Sequence, residues 1–329
     1  MRRLAFPDGR QFAFTIMDDT DVATVANVGP IYRLLTDIGM RTTKTVWPVD
    51  CPEGSRNFSS SSTLEDPEYL DFVLALDRAG FEIGYHGATM ESSSRERITH
   101  AIARFLSLFK TPPRVYANHA YNRENLYWGV DRIDIPLLRF LYDRLTGEPP
   151  NQYQGHRPGS PWWWGDIASA HLCYVRNLTF AEINLRQVNP TMPYRDPRRS
   201  LVPWWFSASD AEDVTAFNSL LRVENQDRLE RQGGICIVAT HLAKGFVANG
   251  LVVPETEHLL RRLASRPGWF VPVGTMLDWL IDQGTAGPLP ASEWRRMQWK
   301  WFIDSVARQI RFRLARLARQ YGRRFHTRR

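Results

Sequence analysis

Cysteine is scarce in this 329-residue chain: Cys51, Cys173 and Cys236 are its three, odd in number and far apart. That spacing excludes a disulfide framework and a paired-cysteine zinc knuckle, so the expectation is a reduced, cytoplasmic protein. Long apolar runs are also missing. No stretch approaches the roughly 20 residues that span a bilayer. The opening MRRLAFPDGRQFAFTIMDD carries two arginines without the apolar core of a signal peptide. Acidic residues run short in one region only. From residue 290 onward twelve basic residues stand against Glu293 and Asp304, so a tail of +10 sits on a body of −3 within the net +7. The positive charge is therefore a separate functional question from the fold. What remains, 43% hydrophobic and 23% charged, is the balance of a soluble globular protein. Eight of its 12 tryptophans cluster at 162–164, 204–205 and 294–301.

The first half alternates short apolar strands with amphipathic helices. Phe12–Met17 reads as a buried strand ending at an acidic cluster, and Val28–Ile38 as a helix stopped by Gly39. Strands follow at Thr42–Trp47, Phe81–Tyr85 and Val115–Ala117, with helices at Pro67–Ala79 and Glu91–Lys110 between them. This rhythm implies parallel strands with crossover helices, in an open sheet or a barrel. From about residue 147 to 208 the rhythm is lost in a Pro, Gly, Trp and Arg-rich stretch, the mark of a lid or binding loop. It resumes with the buried strand Ile235–Thr240, the helix Glu255–Ala264, the strand Trp269–Val273 and the helix Thr275–Ile281. The expected organisation is a barrel domain over 1–285 with an irregular 147–208 insert, then a linker and helical tail over 286–329.

Several strands deliver polar groups to one end: Asp18, Asp19 and Asp21 after the first, His86 after the third, His119 after the fourth and His241 after Ile235–Thr240. Ligands in parallel α/β folds bind at the carboxyl ends of strands. Carboxylate plus imidazole is a natural shell for zinc or another divalent first-row ion. Taken singly, each group is as readily a solvated loop residue or a satisfied core group.

FTIMDD, EIGYHGATM, GGICIVATHL and GWFVPVGTMLDWL, in that order and spacing, resemble the motifs of the NodB-homology polysaccharide deacetylases over most of residues 10–285. The resemblance implies an irregular (β/α) barrel of about seven parallel strands. It implies metal-dependent hydrolysis of an N-acetyl group on a sugar, with Asp18 as the general base and His241 as the acid that protonates the amine. Asp19 and His86 would be metal ligands, and a backbone N–H at Tyr121 would assist the oxyanion. The ion would be zinc, with manganese, cobalt or nickel as alternatives. Where the family has a second histidine this chain has Met90, a poor ligand for such an ion. His119 is expected to replace it, with Asp21 as runner-up. Thr20 stands where the family has Gly, and Asn118 where it has Arg.

Trp163 and Trp164 are candidates to stack on sugar faces, and Arg157 to hold an anion; the competing reading is tryptophans packed under a surface loop. In the tail, Ile303, Val306, Ile310, Leu314, Leu317 and Tyr321 recur at helical spacing between arginines. An apolar stripe with a basic face is the pattern of an in-plane anchor on an anionic membrane, against packing on the barrel. No nucleic-acid-binding signature accompanies the charge. The expected substrate is a lipid-linked or nucleotide-linked glycan precursor at the cytoplasmic face of a membrane. The alternatives are a silent glycan-binding or scaffold barrel, and an amidohydrolase acting on another C–N bond.

Overall fold

The computed structural model describes residues 4–109 and 111–326. Seven parallel strands close into a barrel: β1 Phe12–Asp18, β2 Thr43–Val46, β3 Glu82–Tyr85, β4 Val115–Ala117, β5 Tyr174–Phe180, β6 Trp204–Asp210 and β7 Ile235–Thr240. Each pairs with the next, and closure comes from β7 lying along β1 from Ala13↔Ile235 to Asp18↔Thr240. Short accessory strands extend the sheet: Gly268–Trp269 beside β1, and Tyr194–Arg195 beside β6.

Every residue of β1 and of β7 is buried. Both faces of these strands are covered, one by the barrel interior and one by helices, which is why they read as unbroken apolar runs. Along β1 the faces alternate. Phe12, Phe14 and Ile16 pack with Ile31, Leu35 and Val73 from helices α1 (Val25–Asp37) and α2 (Pro67–Arg78), whereas Ala13 and Met17 belong to the other cluster. The caps are local. Thr24 and Asn27 form a reciprocal capping box on α1, and Asp66 caps α2 ahead of Pro67. Gly39 ends the first helix at φ +73°, a left-handed turn that suits glycine.

The stretch 147–208 is not an insert without structure, because it contributes β5 and the start of β6. Arg176 and Asn177 interrupt β5's apolar pattern, and Ser207 and Ser209 do the same in β6, so these strands do not read as apolar runs. All four side chains are nonetheless buried. Likewise only Gly268–Trp269 of the expected 269–273 strand pairs, and the next helix begins at Val273.

The C-terminal helix, α3 here (Ala291–His326), docks by its first turns. Trp294, Met297, Gln298 and Trp301 are each 3% exposed or less. Gln298 Oε1 accepts from the N–H groups of Asp134 (2.6 Å) and Ile135 (3.2 Å), and Trp301 stacks on Tyr142. The stripe named from sequence is a different one. Ile303 and Ile310 are exposed rather than packed on the barrel, so that competing expectation is corrected for them. Leu314, Leu317 and Tyr321 lie outside the described side chains. Among the described residues no helix is long and apolar enough to cross a membrane.

Candidate active site

Because β1 alternates, Asp18 shares the helix-facing side of Phe12, Phe14 and Ile16. It meets Lys44, its register partner on β2, at 2.9 Å, and accepts from Tyr32 Oη at 2.9 Å. Its other oxygen takes the Leu242 N–H at 2.8 Å. The Asp18 side chain is 1% exposed, as is fitting for a carboxylate closed off by a buried ammonium. This corrects the expectation that Asp18 is the general base, since its carboxylate sits on the helix-facing side of β1, held by Lys44 and Tyr32. Its contact with Leu242 ties the end of β1 to the backbone beside His241.

The next residue points the other way. Asp19 forms a two-pronged ion pair with Arg176 of β5, at 2.8 and 2.6 Å, with both side chains 7% exposed. Burial pushes the Asp19 carboxyl up, but the charges of Arg176, His86 and His241 outweigh it and hold it below the ordinary range. Asp19 is thus committed to a guanidinium, which runs against its expected place as a metal ligand.

Asp21, the runner-up, is the centre of the cluster. The Nε2 atoms of His86, His241 and His119 lie 3.1, 3.3 and 3.4 Å from its carboxylate oxygens, and Lys244 Nζ lies 4.0 Å away. The carboxylate and the three imidazoles come from beyond the ends of β1, β3, β4 and β7, so the barrel's closure gathers them. Asp21, His119 and His241 side chains keep 12–14% exposure, whereas His86 is at 2%. Trp47 walls the site, with its ring centroid 4.7 Å from His86 and 5.1 Å from His119.

Each imidazole is oriented from behind. Nδ1 of His86 lies 2.9 Å from the Ala117 carbonyl, that of His241 2.8 Å from the Glu212 carbonyl, and that of His119 3.3 Å from Asn122 Oδ1. A carbonyl only accepts, so these Nδ1 atoms carry the hydrogen and donate. In the neutral ring, Nε2 is then a lone pair facing Asp21, another acceptor. Such contacts are attractive only with protons on the rings or a cation among them. Hydrogen bonds from the histidines outweigh burial and hold Asp21 far below the ordinary carboxylate range. Burial lowers His86, while the Asp21 carboxylate overcomes burial and raises His119 and His241.

Among the described residues no group of three or more His, Cys, Asp or Glu side chains is spread open to hold an ion; the imidazoles close directly on Asp21. The donor set is nevertheless one that suits a divalent metal: back-oriented imidazoles and a carboxylate.

The other expected residues stand apart. Tyr121 is 75% exposed at φ +70°, on the turn past His119. Trp164 is no stacking platform: it is 1% exposed, donates through Nε1 to the Glu124 carbonyl at 2.6 Å, and packs on Tyr85 and Tyr116. The aromatic ring fills core volume there, as the competing reading had it. Trp163 is half-buried beside Gly165, and Arg157 is held by Asp131 at 2.9 Å and by Asn151. Met90 accepts from Ser60 Oγ at 3.1 Å. Arg176, Lys44, Trp47 and Lys244 are site neighbours that the sequence reading did not name. The β1 alternation was the available signal for Asp18 and Lys44. Nothing local marks Arg176.

No family model and no curated protein matches the sequence. Solved structures do resemble it. A protein from Mycobacterium smegmatis described as a polysaccharide deacetylase aligns at 15% identity over 88% of this chain and 96% of its own, with a TM-score of 0.50. PuuE allantoinase aligns at 12% identity over 87% and 95%, TM-score 0.48. A variant of the peptidoglycan deacetylase PdaC from Bacillus subtilis aligns at 14% over 88% and 98%, TM-score 0.40. In a divergent sequence, this chain has the NodB-type barrel fold of the polysaccharide deacetylases.

Proposed function

We propose that this protein is a metal-dependent hydrolase that removes an N-acetyl group from a sugar. The observation that carries the reading is the convergence of three back-oriented histidines on Asp21 at the carboxyl end of the barrel. Asp21, His86 and His119 would hold the ion, with zinc the expected metal. Bound there, it would supply Lewis-acid polarisation of the acetamide carbonyl and a more acidic water.

The chain's own groups divide the proton work. Asp19, kept ionised by Arg176, is the carboxylate on the pocket side of β1 and is assigned as the proton acceptor. His241 has its Nδ1–H fixed on the Glu212 carbonyl, so Nε2 is the atom that passes a proton to the departing amine. Asp18 is a positioning residue: it anchors Leu242 N–H and hence the His241 backbone. Lys44 pairs with Asp18 at 2.9 Å and holds its carboxylate in place. Trp47 excludes water behind His86 and His119. The substrate class fits a glycan precursor carried on lipid or nucleotide at the cytoplasmic side, where a barrel with a basic tail would meet it.

The test is metal analysis of the purified protein together with acetate release from a panel of N-acetylated sugars. Asp21→Asn should lose the metal and all turnover. Asp19→Asn should keep the metal and lose turnover. Full metal content and activity in Asp21→Asn would end this assignment. A silent sugar-binding barrel is the second reading, favoured by Asp19 having both oxygens on Arg176. A protein that binds no divalent ion yet retains sugar would support it.

A further inference from the structure

The C-terminal helix has two apolar faces. Its docked face is Trp294, Met297 and Trp301, with Gln298 between them. At about 100° per residue, Trp299, Ile303, Val306 and Ile310 fall together on the opposite side. Trp299 is 42% exposed, Ile303 58% and Ile310 53%, with Val306 half-buried, so among the described residues this second stripe is left largely uncovered. A helix that merely covered the barrel would be polar there.

The stripe's surroundings identify what it meets. Arg295 and Arg296 are exposed near its start, and the sequence from residue 290 carries twelve basic residues against two acidic ones. Cationic flanks around an apolar stripe that begins with a tryptophan match an anionic lipid surface, with the helix lying in its plane. A duplex would need only the charge, and a purely apolar protein groove only the stripe.

The helix also has a defined direction. Asp304 Oδ2 accepts from the Ala181 N–H at 3.0 Å, just past the end of β5, and Arg308 pairs with Asp210, the last residue of β6. Asp210 is two residues before Glu212, whose carbonyl orients His241. The stripe therefore climbs the flank to the rim where the candidate site opens.

We infer that the stripe Trp299, Ile303, Val306 and Ile310 seats the protein on an anionic membrane surface with the rim of the barrel's carboxyl end beside it. Partition is what the experiment reads, so it stands or falls separately from any hydrolase activity. The full chain is sedimented with vesicles of phosphatidylcholine alone and of phosphatidylcholine with about one third phosphatidylglycerol. The wild type should bind the anionic vesicles and lose them as salt rises from about 0.1 to about 0.5 M. Ile303→Ser/Ile310→Ser, both at exposed positions, should keep the wild-type circular dichroism and bind about tenfold more weakly or worse. Equal binding to both vesicle types, no binding, or unchanged binding by the double variant overturns the inference. Duplex DNA binding that the double variant retains, without vesicle binding, would assign the charge to nucleic acid instead. Self-association lost in that variant, again without vesicle binding, would assign the stripe to a second copy.

Discussion

Replacing Arg176 with Met tests the electrostatic logic of the pocket. Arg176 and Asp19 are each 7% exposed and joined at 2.8 and 2.6 Å, so the substitution strands a buried carboxylate. Removing one partner of such a pair costs about 3–5 kcal/mol, whereas replacing both with uncharged groups is often close to neutral. A double-mutant cycle of Arg176→Met, Asp19→Asn and their combination, followed by urea unfolding, separates the two effects. Each single variant should lose about 3 kcal/mol or more, and the pair should recover most of it. A loss under about 1 kcal/mol for Arg176→Met, or simple additivity in the double variant, would refute the claim that the two groups neutralise each other.

Four further outcomes follow from named contacts. Burial pushes Glu124 up to about 7 from 4.5, against opposing hydrogen bonds. Its folded pKa is raised, so the native state binds the extra proton between these values, and stability falls as pH rises through that window, by about 3 kcal/mol in all. Glu124→Gln should flatten the trend between pH 5 and pH 8 in urea titrations; parallel curves would contradict it. Trp164→Ala should cost about 3–5 kcal/mol as a core truncation, while Trp163→Ala, half-buried, costs clearly less by the same unfolding assay. Asp18→Asn should weaken stability by about 3–5 kcal/mol, because the buried Lys44 loses its counter-charge, yet metal content should stay at the wild-type level. Chelator treatment should lower the unfolding free energy of a metal-loaded wild type by about 3 kcal/mol when the ion is at a hundredfold its dissociation constant; Asp21→Asn should show no such response in thermal melts.

The sequence by itself determined the barrel's frame. Apolar runs such as Phe12–Met17 and Ile235–Thr240 can be buried on both faces in only a few ways, and glycine stops such as Gly39 set the crossover lengths. It also determined that Asp21, His86, His119 and His241 sit at strand ends, since each follows within three residues a run whose period is local. Local order could not say which acid faces the pocket, although the two-residue alternation of β1 put Asp18 on the helix side and left Asp19 on the other. Two strands escaped because Arg176, Asn177, Ser207 and Ser209 look like loop residues until the barrel buries them. Arg176 forms its ion pair with Asp19, 157 residues away, and no local window of sequence contains that pair. The pairing of charges, the gathering of three imidazoles on Asp21 and the choice of docked face on the C-terminal helix are facts of closure. Each depends on contacts between segments whose separation along the chain carries no local signal, and so the tertiary structure alone decided them.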